Sequence, residues 1–95
     1  MHYGVALLHI TDQDAYDRYR RSFADTLVGT GGRVLAADTT PGVLEGDWAG
    51  DKVILLEFPD AASFGSWTMS ARYREIARDR HAGSHGIVLS VRGLT

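Results

Sequence analysis

The chain has 95 residues, 44% hydrophobic and 23% charged, with a net charge of −2 and no cysteine. This is the composition of a folded chain rather than a disordered one, and the length predicts one domain, residues 1–95, near the size where association often adds stability. Disulfides, thiol nucleophiles and thiolate metal sites are excluded, nucleic acid finds no general attraction, no apolar run is long enough to span a membrane, and the expected compartment is the cytoplasm.

Tyr3 to Ile10 is an apolar run stopped by Thr11-Asp12, which predicts a first strand buried on both faces. Its opening, MHYGVALLHITD, lacks a basic region and reads as part of the fold rather than a leader. Thr11 or Asp12 can cap the helix that follows, in which Tyr16, Tyr19, Phe23 and Leu27 recur at spacings of three and four and form one face. Gly29 to Gly32 ends that helix. Arg33 to Asp38 predicts a second strand, TTPG a break, and Val43 to Gly46 a continuation or short extra strand. Lys52 to Phe58 is the most apolar strand. Asp60 caps the next helical region, which a second start signal at Ser70 divides into helices over about 60–69 and 71–80, with Phe64, Trp67 and Ala71 facing inward. After HAGSHG, read as a loop, Ile87 to Val91 gives the last strand.

The order βαββαβ closes into a ferredoxin-like α+β fold, a four-stranded antiparallel sheet with its helices on one face. The strands are apolar on both sides, so the other face needs a cover. A second copy of the same sheet supplies it, predicting a homodimer through sheet faces, a dimeric α+β barrel.

Gly31-Gly32-Arg33, then Val43-Leu44-Glu45-Gly46 with Trp48 close behind, Glu57-Phe58-Pro59-Asp60, and finally Trp67, Ser70 and Tyr73 together resemble the domain-of-unknown-function 1330 family. The resemblance spans nearly the whole chain. It implies the same ferredoxin-like subunit in a dimeric α+β barrel but no particular reaction. The wider superfamily contains cofactor-free monooxygenases, lactone isomerases, haem enzymes and ligand-sensing domains. Where family members often read Ser-Pro-Glu-Tyr, this chain has Ser70-Ala71-Arg72-Tyr73, so no carboxylate role carries over to position 72.

Two glutamates invite an acid/base reading. A simple hairpin around residues 46–51 would set Glu45 opposite Lys52 and put Glu45 and Glu57 on opposite sheet faces. In the alternative register they share a face but stand roughly 13 Å apart at about 3.3 Å per residue, beyond the roughly 5–9.5 Å of paired glycosidase carboxylates. Glu45 and Lys52 are therefore expected as a structural ion pair or dimer contact. Glu57, among apolar neighbours, needs a partner such as Arg33 or an arginine of the second helix; lacking one, its pKa rises and it becomes a candidate base.

His9 shares a face with Tyr3, Val5 and Leu7 and is a candidate proton shuttle, if that face lines a pocket between sheet and helices, or else, as is commoner, a hydrogen-bonded core or rim histidine. Tyr16, Tyr19, Phe23, Trp67 and Tyr73 are candidate walls of an aromatic pocket or simply core. Ser70 reads as a helix cap. His81 and His85 have a zinc-helix spacing, but Gly83 interrupts them and no second cluster completes a set, so no metal or other cofactor is expected. His2 is terminal and uninformative. Two functions follow. One is a cofactor-independent enzyme acting on a small aromatic or enolisable molecule by proton transfer or oxygenation, with a pocket of Trp67, Tyr73, Tyr19, His9, Arg33 and Glu57. The other is a non-catalytic binding or assembly module.

Overall fold

In a computed structural model describing residues 1–95, the elements are β1 (His2–Ile10), α1 (Gln13–Leu27), β2 (Arg33–Asp38), β3 (Lys52–Phe58), α2 (Ala61–Met69), α3 (Ala71–Gly83) and β4 (Ser84–Arg92). Side chains written into the sequence start all three helices. The Asp12 carboxylate accepts from the amides of Asp14 and Ala15, and Asp60 and Ser63 form a reciprocal capping box. Ser70 Oγ accepts from the Tyr73 amide and donates to the Trp67 carbonyl, ending α2 and starting α3 with one side chain.

The strands pair antiparallel in the order β2-β3-β1-β4, the ferredoxin-like α+β arrangement. On one face Leu8, Ile54, Leu56 and Phe58 pack under Tyr16, Tyr19 and Leu27 of α1, Phe64 and Trp67 of α2, and Tyr73 and Ala77 of α3. This is the core. Ala71, expected to face inward, is exposed, and Tyr73 and Ala77 take the inward stripe of α3 instead.

The other face of the sheet has no helix. Tyr3, Val5 and Leu7 of β1 lie there half-buried beside Val53 and Leu55 of β3 and Ile87, Leu89 and Val91 of β4. β1 is therefore covered on one side within the subunit, not on both. Small residues explain which side: Gly4 and Ala6 lie under the helices, and a Cβ on Gly4 would come within 2.9 Å of the Phe64 ring. The bulkier neighbours of Gly4 and Ala6, namely Tyr3, Val5 and Leu7, are left for the open face.

Two expected features are absent. Val43 to Gly46 is not a strand, because β2 itself pairs with β3, with Arg33 opposite Glu57 and Asp38 opposite Val53. Residues 39–51 form the connecting loop. Pro41 lacks an amide to donate, and Gly46 turns the chain at φ +89°. HAGSHG is likewise no loop: α3 runs to Gly83 and β4 begins at Ser84. The Gly83 carbonyl accepts from the amides of Thr11 and Asp12, at 2.9 and 3.1 Å. A Cβ at position 83 would lie 2.6 Å from the Tyr16 nitrogen, so the start of α1 seats against bare backbone.

Candidate functional site

Between sheet and helices the packing leaves a cavity of about 180 Å³. Its floor is Gly4, Ala6 and Leu8 of β1 with Ile54 and Leu56 of β3, and its walls are Tyr19 and Phe23 of α1, Phe64 and Trp67 of α2, and Tyr73 and Arg80 of α3. The aromatic rings brace one another. Trp67 and Tyr73 lie 4.1 Å apart centre to centre, and Phe23 meets Trp67 edge-on at 5.7 Å.

Polar tips inside this apolar box are few. Trp67 Nε1–H donates to Thr26 Oγ1 at 3.1 Å, and Thr26 passes its own hydrogen to the Phe23 carbonyl. Thr68 donates to the Gly65 carbonyl. The Tyr19 and Tyr73 hydroxyls face each other at 3.3 Å. Burial, and then the neighbouring Tyr73, push the Tyr19 phenol far above the ordinary tyrosine range, so it stays protonated.

Arg80 differs from these. One of its terminal nitrogens, Nη2, lies 3.1 Å from His81 Nε2 and its guanidinium carbon sits 6.0 Å from the centre of the Tyr19 ring, but its Nε is buried with no hydrogen-bond partner. Such an unmade bond costs about 1–3 kcal/mol, more for a charged group. No carboxylate or imidazole lines the cavity.

Among the expected site residues, the structure brings Tyr19, Trp67 and Tyr73 together and sends the others elsewhere. Glu57, Arg33 and His9 lie on the open face, across the sheet from the cavity. Glu57 accepts from Arg33 Nε at 3.0 Å, with side-chain exposures of 15% for Glu57 and 69% for Arg33. His9 is exposed, its Nδ1 3.1 Å from the Ala49 carbonyl and 3.3 Å from Asp51 Oδ2, with the His85 ring 5.0 Å away. The expected single pocket of six residues is therefore split, because strand alternation places Glu57 and His9 opposite to Leu56 and Leu8.

Glu45 and Lys52 also part company. Glu45 is exposed on the loop, while Lys52 turns to the helix side, its Nζ 5.0 Å over the Tyr16 ring. Burial, then the nearby Arg20 charge, hold the Lys52 pKa below the usual lysine value. His2, which carries no signal in the sequence, is buried, with its Nε2 2.6 Å from Ser90 Oγ and its ring over Phe64. Sequence reasoning passed over Arg80 as a cavity residue, although Tyr73, Ala77 and Arg80 follow one another at four and three residues along a single helical stripe.

A family model described as a domain of unknown function (DUF1330) matches residues 1–94. The chain belongs to this family. Among solved structures, the DUF1330 chain is similar to a protein of unknown function from Rhodopseudomonas palustris, at 21% identity and a TM-score of 0.82, covering 99% of this chain and 82% of that one. It is also similar to a dimeric ferredoxin-like protein of unknown function from Jannaschia sp. CCS1, at 16% identity and a TM-score of 0.70, covering 97% and 98%. A third likeness is to an antibiotic biosynthesis monooxygenase, at 16% identity and a TM-score of 0.63, with both chains fully covered. At these identities the likeness is one of fold. No curated protein matches the chain. No helix is long and apolar enough to cross a membrane.

Proposed function

We propose that the protein is a homodimer, joined through the open sheet faces, in which each subunit binds a small, flat aromatic or enolisable molecule in the helix-side cavity. The observation that carries the reading is the cavity itself, with apolar aromatic walls and a few convergent polar groups, the general make-up of a small-molecule site. Its volume suits a single-ring compound. The monooxygenase fold-likeness supports an enzymatic role, and catalysis there would rest on what phenols and a guanidinium can do, which is to donate hydrogen bonds and stabilise negative charge. Glu57 and His9 have no part in it, being on the far side of the sheet.

For the dimer, the support is an open face on which Leu55, Ile87, Leu89 and Val91 are 36–58% exposed in the single subunit, together with the dimeric Jannaschia relative in fold. The Arg33–Glu57 pair sits on that face and would be a contact between subunits or a rim charge.

Thermal-shift titration tests the cavity. Nitrobenzene or benzoate should raise the melting temperature of the wild-type protein, by up to about 2.7 kcal/mol of stabilisation at a hundredfold excess over Kd. Ala6→Leu, which fills the cavity floor, should remove the response. A wild-type protein indifferent to both compounds, or an Ala6→Leu variant that responds equally, would sink the reading.

A further inference from the structure

Resting on that cavity reading, we infer that the ligand is a small aromatic carboxylate, held by the Arg80 guanidinium and the Tyr19–Tyr73 hydroxyl pair, with its ring on the Trp67 side. Two of the polar groups among the lining residues, Arg80 and the Tyr19–Tyr73 pair, carry hydrogens that no protein acceptor takes. Arg80 Nε is the one buried side-chain nitrogen or oxygen in the molecule without a hydrogen-bond partner. Nε and Nη2 share the edge of the guanidinium that grips a carboxylate at two points, and Nη2 gives only one of its two hydrogens to His81.

The phenols add to this by simple counting. Their two hydroxyls carry one hydrogen each and the bond between them uses one, so one remains to be donated. Burial holds the Tyr19 hydroxyl protonated, so it keeps its hydrogen to donate. Charge completes the argument. Arg80 has no ion-pair partner within the chain, and no Asp, Glu or His lines the cavity, so the one charged residue in its lining is positive. An anionic head on a flat body meets both demands. Trp67 supplies the body's contact and cannot compete for the head, since its own N–H is already donated to Thr26.

Benzoate and nitrobenzene form the test pair, being nearly the same shape, one anionic and the other neutral. Followed by protein-detected NMR titration, the wild type should bind benzoate about tenfold to a hundredfold more tightly, the range of a charge-assisted hydrogen bond. Arg80→Met should weaken benzoate to the level of nitrobenzene while leaving nitrobenzene within about twofold. Tyr73→Phe, which keeps the ring, should cost benzoate a smaller factor and serves if Arg80→Met does not fold. Equal wild-type affinities for the two compounds would overturn the carboxylate assignment and leave the cavity reading standing, as would Arg80→Met weakening both alike. If neither compound binds, the cavity reading itself falls, and this inference with it.

Discussion

The helix-covered face of the sheet and its open face are built from the same strands, residue by alternate residue, yet they treat polar groups in opposite ways. Beneath the helices the hydroxyls and the Trp67 indole are tied to one another across the helices, and one buried arginine nitrogen is left without a partner. On the open face Glu57 is paired with Arg33, the His9 ring lies against Asp51, and the surface between them is aliphatic. An ion pair beside an apolar field suits a surface that another copy covers. An unpaired donor in a cavity suits a ligand.

The largest expected effect comes from breaking the open face. Leu89→Asp places a carboxylate in the middle of the proposed interface, where a buried leucine contributes about 1.5–3 kcal/mol and a buried unpaired charge costs more. Light scattering should show the subunit mass instead of twice that mass, with the cavity still able to bind benzoate. A variant that remains dimeric would place the interface elsewhere. Glu57→Gln probes the same face more gently. The Arg33 partner is mostly exposed, so the lost pair should cost no more than about 1 kcal/mol in chemical denaturation. Benzoate affinity should not change. A drop in affinity would mean that the two faces communicate.

The smallest effect belongs to Lys52, on the helix side. Its folded pKa lies below the ordinary value of 10.5, so between the two values the unfolded chain binds more protons than the folded one and stability rises with pH. Below the folded pKa the penalty is fully present. The Tyr16 ring offsets part of it by facing the ammonium. Lys52→Met should therefore raise the melting temperature slightly at pH 7, with the gain shrinking as pH climbs towards 10.5. A gain that grows with pH would contradict the sign.

Much of the fold was legible because its signals are local. Asp60 and Ser70 read as caps and are caps, Asp12 is one of two caps expected, and the periodicity of Tyr16, Tyr19 and Leu27 marks the buried side of α1. The Arg33 partner for Glu57 was among those expected, since neighbouring strands bring opposite charges together. What failed depended on long-range packing. Nothing near Gly83 announces that its carbonyl will take the amides of Thr11 and Asp12, so a helix-to-strand junction read as a loop. For His9 the pocket reading falls and the hydrogen-bonded rim reading stands, for a subtler reason. Alternation grouped it correctly with Tyr3, Val5 and Leu7 but does not say which face the helices cover, and they approach over Gly4 and Ala6. Arg80 was hidden by its charge, although its spacing from Tyr73 and Ala77 was visible.

The division of labour between the faces is tested most directly by mapping where benzoate touches the folded protein, using assigned NMR spectra. The account predicts shifts concentrated on Tyr19, Trp67, Tyr73 and Arg80, with Tyr3, His9, Glu57 and Leu89 unmoved. Shifts centred on His9 and Glu57, with the helix-side residues silent, would contradict it.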